Sequence, residues 1–329
     1  MLARRRVFTV VLSIAAALAV AASVLWLIPS NYYLVRPARA RPVDPLVSLP
    51  GESKVERTAG IYMVAVRVSR ASLFERLFPE IYGHADLVPE RVLNPAGISD
   101  RQRTQQGFEQ MSHSQKVAVA VALRELGYTV RGGAKIARVA PNAAAGGTLQ
   151  ARDLIVGAEG KIVGSPDDLA RIMRAVQPGQ SVALVVRRGQ ETLHLKAATR
   201  ADPDDPDRAL LGVFLAEPDQ FRFPVDVRIT TPGIGGPSAG LAFALDIVDE
   251  RGRDLDRGRT VVATGELSLG GRVLPIGEIQ QKTVGAREAG ADVFLVPDGN
   301  AAEARQHAEG LRIVAVSTFR EALAALATR

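Results

Sequence analysis

The sequence has 329 residues, a formal net charge of +6 and no cysteine. That length holds two domains with additional segments. The basic residues are scattered among acids without aromatic interleaving, which argues against a nucleic-acid surface. The lack of cysteine fits an exported chain and a reducing compartment alike.

Residues 7–28 are apolar and uncharged, enough to span a bilayer as one helix. Leu25-Trp26-Leu27-Ile28 carries the apolar run past any small-residue cleavage site, so an uncleaved anchor is expected over a signal peptide. Arg36, Arg39 and Arg41 after the span nearly balance Arg4, Arg5 and Arg6 before it. The first three abut the helix and add to the amino terminus, so the expectation is a single-pass cell-membrane protein with its bulk extracytoplasmic. Residues 37–50 repeat proline and read as an extended linker, and residues 61–68, rich in β-formers, as a strand. Residues 74–107 give no reading. Residues 114–126, with Val117, Val121 and Arg124 among alanines, read as a helix that Gly127 stops.

From there short strands surround one helix. Strands are expected at 135–139 and 153–157, with a small-residue turn at 141–147 and another at Gly160-Lys161. Ser165-Pro166-Asp167-Asp168 combines a cap, a proline and first-turn acids, a strong helix start that Pro178-Gly179 ends. Residues 182–187 and 192–197 form a hairpin across Arg188-Gly189-Gln190.

After the Pro/Asp-rich linker 202–207, strands are expected at 225–229 and 260–264. A hairpin of 267–269 with 272–274 turns at Gly270-Gly271. Strands at 293–296 and 313–316 follow, separated by a turn at Asp298-Gly299-Asn300, and Thr318 with Glu321 suits a capping box for the last helix. This is an α/β domain.

Within it lies Gly233-Ile234-Gly235-Gly236-Pro237-Ser238-Ala239-Gly240. Proline favours the first helical position, so Gly236 is the expected cap and Ser238 falls in the first turn, where amide N–H groups converge. A capping serine normally precedes such a proline; this one follows it. Leu241, Leu245 and Val248 share one face of the helix beyond. Lysine is rare in the chain, arginine is abundant, and Lys282 is the only lysine after Lys196. Guanidinium does not deprotonate, so lysine is the residue to choose where a proton must leave. On a predicted helix 278–289, Lys282 falls beside Ile279, Thr283 and Ala286, where desolvation can supply the downward shift of about three pKa units that a neutral-pH base needs.

Two resemblances follow from these residues. Ala140-Pro141-Asn142-Ala143-Ala144 and Ala151-Arg152-Asp153-Leu154-Ile155, in that order of elements, resemble bacterial PDZ domains, which bind an extended peptide along a sheet edge beside a helix. The resemblance implies a groove between helix 167–176 and residues 127–130, with Gly127, Tyr128, Thr129 and Val130 offering N–H groups to a terminal carboxylate. A ligand-free spacer is the alternative. Further on, Gly236-Pro237-Ser238-Ala239-Gly240, Thr264-Gly265-Glu266-Leu267-Ser268-Leu269-Gly270-Gly271-Arg272-Val273-Leu274-Pro275-Ile276-Gly277 and Lys282 resemble the proteolytic domain of Lon-type serine peptidases, over residues 225 to the C-terminus. That implies Ser238 as nucleophile, Lys282 as general base and Thr264 near the amine, with backbone around Gly236, Pro237 and Ala239 holding the oxyanion. The sequence departs from the family where two upstream histidines are Arg228 and Thr230, and where a Lys-Asp pair is Ile234-Gly235.

Together these give an α/β fold class: an N-terminal transmembrane helix, a PDZ-like β-rich domain with one main helix, and a C-terminal Lon-type α/β proteolytic domain. The division expected is 1–30 tail and anchor, 31–115 linker with N-terminal strands and helices, 116–200 PDZ-like, and 208–329 proteolytic. PDZ-containing, membrane-anchored Lon-like proteins lack an ATPase module, and no Gly-x-x-x-x-Gly-Lys-Ser/Thr loop occurs here, so no ATP, cofactor or metal is expected. The strand 61–68 is expected to pair with the proteolytic sheet across the PDZ insertion. The partners implied are a polypeptide substrate and the membrane through one helix, with a homo-oligomer left open. Two other readings stay open: an idle peptide-binding scaffold, and an α/β-hydrolase esterase in which His307 and Asp292 or Asp298 complete a triad behind the Gly-x-Ser-x-Gly pattern.

Overall fold

The computed structural model describes residues 2–50, 59–95, 97–130, 132–218, 221 and 223–327, with side chains of the first helix from Val10 onward. That helix, Leu2–Leu27, is long and apolar enough to cross a membrane, and none of its apolar window Val10–Leu27 is buried against the rest of the chain.

The stretch expected as a free linker is instead built into the fold. Strand Pro29–Pro37 follows the helix directly and pairs antiparallel with both Val66–Ser72 and Asp86–Pro89. Beyond it, Arg41–Pro42 pairs with Gly60–Met63 and Val47–Ser48 with Arg228–Ile229. Val43, Val47 and Leu49 are buried, while the prolines sit at edges and turns where no N–H is required. Ala40 N–H donates to the Gly285 carbonyl at 3.1 Å. A Cβ at Gly285 would lie 2.2 Å from the Ala38 carbonyl oxygen, so glycine is what lets this segment cross helix Ile279–Glu288.

The five-stranded sheet runs Arg41–Pro42, Gly60–Met63, Thr260–Ala263, Val293–Pro297, Arg312–Val316, and all but the first pairing are parallel. The early strand therefore joins this sheet across the intervening β-rich unit, as expected. It is shorter than 61–68, because the chain breaks at Val64-Ala65 and begins Val66–Ser72. The hairpin pairs Glu266–Leu267 with Val273–Leu274, so its ladder starts earlier than expected. The strand expected at 225–229 is only Arg228–Ile229. At the last helix, Phe319–Ala327, Glu321 N–H donates to Thr318 Oγ1 and the Glu321 carboxylate accepts from Ser317 N–H, one residue off the expected box.

The helix expected at 114–126 runs from Asp100 to Glu125, opened by a capping box of Ser99 and Gln102. Its first turns are polar and exposed, so no apolar period marked them. The later turns place Val117, Val121 and Leu123 in one core with Leu241, Phe243 and Leu245. The division expected at residue 116 thus falls inside one continuous helix that belongs to the proteolytic core.

The PDZ-like unit has strand order Glu191–Ala198, Ser181–Arg188, Leu154–Ala158, Ala134–Val139, Val213–Ala216, with Lys161–Ile162 beside Leu154–Ala158. Helix Pro166–Met173, capped by Ser165, covers a core of Ile136, Ile155, Leu169, Val182 and Val186. Strand Val213–Ala216 carries this sheet past the expected break at 208. Local sequence marks a strand without saying which sheet it joins.

Candidate active site

Helix Gly240–Val248 is buried along its whole length. Ser238 does not lie inside its first turn, as expected, but in the turn just before it, where Gly240 N–H reaches the Pro237 carbonyl at 3.3 Å. Gly236, with φ of +87°, needs the left-handed region that glycine supplies. The Ser238 carbonyl is held twice, by Gly265 N–H at 2.8 Å and by the Thr264 hydroxyl at 3.2 Å. Thr264 thus fixes the serine backbone, where the resemblance implied a bond to the lysine.

Sequence reasoning missed a buttress on the other side. Gly236 N–H donates to the Gly107 carbonyl at 2.8 Å, and Ser114 Oγ donates to the Pro237 carbonyl at 2.8 Å. Both partners come from the long helix Asp100–Glu125. A Cβ on Gly235 would come within 3.1 Å of the Gly107 backbone, so small residues on both sides allow the contact. The usable signal was Gly107 in an otherwise helical stretch.

Lys282 arrives from helix Ile279–Glu288, entered through Glu278 in a left-handed conformation at φ +55°. Its Nζ donates to Ser238 Oγ at 3.2 Å and to the Gly277 carbonyl at 2.9 Å, and Glu278 Oε2 lies 4.0 Å away. Only 4% of Lys282 is exposed. Burial pushes its amine down from the ordinary lysine value to about 8, against the opposing pull of the Glu278 carboxylate.

Both side chains open into a cleft of about 820 Å³, lined also by Met63, Phe108, Met111, Ile234, Glu266 and Pro275. Because Gly236 N–H is already bonded and Pro237 has none, the expected set of oxyanion donors narrows. The N–H groups of Ser238 and Ala239 have no acceptor among the described residues. His307, Asp292 and Asp298 do not line this cleft. Asp292 instead accepts from Thr260 N–H.

The expected peptide groove needs correction. Gly127 N–H donates to the Arg124 carbonyl and Tyr128 N–H to the Leu123 carbonyl, so these groups cap the long helix. Val130 is buried in the proteolytic core, and Thr129 lies between it and that cap. A cleft of about 740 Å³ lies elsewhere, between helix Pro166–Met173 and residues 209–215, lined by Leu169, Met173, Leu211, Val213 and Phe214. Val213–Ala216 is an edge strand of its sheet, and the N–H groups of Leu211 and Gly212 have no acceptor among the described residues. Leu210-Leu211-Gly212-Val213-Phe214, a lone glycine in an apolar run after the Pro/Asp-rich turn, was the sequence signal.

Residues 219–328 match the family model described as the Lon protease (S16) C-terminal proteolytic domain. Lon protease 2 of Bacillus subtilis is 39% identical over 101 residues, which is 30% of this chain and 18% of that protein. Lon protease 1 of Myxococcus xanthus is 46% identical over 65 residues, 20% of this chain and 8% of that protein. The chain therefore spans less than a fifth of the length of these relatives. Among solved structures, the PDZ domain of the SdrC-like protein from Listeria monocytogenes is 20% identical, covers 26% of this chain and 87% of its own, and has a TM-score of 0.24. The serine turn, the hairpin and the lysine helix all lie inside one matched segment, and residues 219–328 belong to the Lon protease (S16) C-terminal proteolytic domain family.

Proposed function

We propose that the chain is a membrane-anchored, ATP-independent serine endopeptidase working through a Ser238–Lys282 dyad, with the PDZ-like unit recruiting the polypeptide. The observation that carries this reading is the 3.2 Å approach of a nearly dry lysine amine to the Ser238 hydroxyl. In the neutral state Lys282 takes the proton of Ser238 Oγ as that oxygen bonds to the substrate carbonyl carbon. The N–H groups of Ser238 and Ala239 meet the oxyanion. As the carbonyl reforms, the C–N bond breaks and the lysine proton goes to the leaving amine; water then repeats the sequence on the acyl-serine. Only the neutral amine accepts the proton, so the rate rises with pH through about 8.

Recruitment is supported by the cleft beside Val213–Ala216, where an extended peptide can add to the free edge with its terminal carboxylate at the N–H groups of Leu211 and Gly212. Anchoring is supported by the unburied apolar helix. The test is cleavage of an unfolded protein by the full chain beside three variants. Ser238→Ala and Lys282→Ala are expected to abolish cleavage with the fold retained, and His307→Ala to leave it unchanged. Cleavage that survives Lys282→Ala and is lost in His307→Ala overturns the dyad in favour of an esterase-type triad. Peptide binding with no cleavage by the unaltered chain leaves only the idle scaffold.

A further inference from the structure

The joint between the apolar helix and the folded domain is short and hydrogen-bonded. Strand Pro29–Pro37 begins two residues after the helix ends, and Leu73 N–H donates to the Ile28 carbonyl at 2.8 Å. Ser30 Oγ donates to the Ala71 carbonyl at 2.8 Å, and a Ser72–Glu75 capping box fixes the short helix Leu73–Leu77 beside the first helix. Phe74 faces Ala22, Ser23, Trp26 and Leu27 across a small apolar cavity. Those positions are the last turn and a half of the apolar window, about 8 Å of helix axis.

Leu77, Phe78 and Ile81 continue outward from that contact, and they are 58%, 44% and 64% exposed. The Phe74 and Phe78 rings stack at a tilt, 5.0 Å apart, joining the patch to the helix contact. Arg76 lies over the Tyr32 ring, so one cation and two aromatic types border the patch. Exposed Glu80 shares the turn. An apolar group at the level of Trp26 meets the boundary of headgroups and acyl chains whenever Val10–Leu27 crosses a bilayer.

We propose that Leu77, Phe78 and Ile81 form a foot that inserts into the interfacial layer of the membrane and holds the domain at a fixed height and tilt. This rests on the anchor reading above, and its occupant is lipid: through the Phe78–Phe74 contact the patch joins the end of the membrane-spanning surface, against which Phe74 packs. A free-standing anchor would let the domain swing on the span. A second contact point stops that rotation.

The chain has no cysteine, so single substitutions carry a label without background. The full-length protein is reconstituted in phosphatidylcholine vesicles with an environment-sensitive fluorophore at Leu18→Cys, Ile81→Cys or Ile162→Cys, the last being 82% exposed on the PDZ-like unit. Quenching is read with nitroxide lipids labelled near the headgroup or at the chain end. The Leu18 label is expected to be quenched best by the deep nitroxide, and the Ile81 label by the shallow one, at least about twofold above the Ile162 label. An Ile81 label no more quenched than the Ile162 label, with Leu18 still deep, overturns the foot and leaves the anchor standing. Loss of deep quenching at Leu18 removes the anchor and the foot together. Self-quenching at Ile81 that grows with protein density in place of lipid quenching assigns the patch to a second copy and overturns the proposal.

Discussion

Replacing Glu278 with glutamine removes a carboxylate 4.0 Å from Lys282 Nζ while keeping the side chain's size. Two unit charges at that distance interact by about 4 kcal/mol at an effective dielectric of 20 and about 1 kcal/mol in water. Glu278 is 34% exposed, so water screens it and the lower end applies, about 1–2 kcal/mol or roughly one pKa unit. The carboxylate favours the charged amine. Its removal favours the neutral base, and the midpoint of activity falls from about 8 to a value roughly one unit lower. At pH 7 the neutral fraction then rises from about a tenth to about a half, a gain of about fivefold in kcat/KM, with little change above pH 9. Initial rates on a fluorogenic unfolded protein across pH 6 to 10 measure the midpoint. A midpoint that stays put or moves up refutes both the electrostatic account and the assignment of Lys282 as base.

Gly240→Ala would bring a Cβ to 2.8 Å from Ser114 Oγ, so it is expected to cost about 1–3 kcal/mol of stability and to lower kcat by displacing the serine turn; thermal melts and kcat check both. Met173→Glu places a charge in the apolar cleft beside Val213–Ala216 and is expected to weaken capture of peptides by their C-terminus at least tenfold, read by fluorescence anisotropy, while a short fluorogenic peptide is still cleaved at the same kcat. Residues 208–329 expressed alone are expected to lack a cooperative thermal transition, which circular dichroism reports directly.

Ser238 and Lys282 were legible in the sequence and the groups that hold them were not. Ser238 and Lys282 stood out because each broke a local rule, a serine after its helical proline and a lysine in an arginine-rich chain. The helix start at Ser165, the hairpin Ser181–Arg188 with Glu191–Ala198 and the parallel strands could be read because cap, turn and β-branched signals are local. What could not be read is what pairs distant segments. Nothing near Gly107 announces that its carbonyl holds Gly236, and nothing in the prolines of 37–50 tells that Val43 and Val47 are buried against strands two hundred residues away. The donors expected for a peptide carboxylate fail for the same reason: the N–H groups of Gly127 and Tyr128 read as free until the carbonyls of Arg124 and Leu123 take them.

Those long-range pairings decide how Lys282 stays dry. Lys282 keeps a lowered pKa only while its helix is covered, and the segment around Ala38 and Ala40 covers it at Gly285. The turn that carries Ser238 is held on its other side by Gly107 and Ser114. The matched family segment supplies Ser238 and Lys282 and neither of these supports. Leu241, Phe243 and Leu245 would also lose Val117, Val121 and Leu123 without the long helix. Each large apolar side chain so exposed costs about 1.5–3 kcal/mol, so the three together cost an amount comparable with the roughly 5–15 kcal/mol by which domains are stable. The proteolytic unit of this chain is therefore discontinuous. Its N-terminal part, through Gly60–Met63 and Asp100–Glu125, leads into the PDZ-like unit and its C-terminal part leads out, so the cleft beside Val213–Ala216 hangs on the two stretches of chain that frame the Ser238–Lys282 cleft.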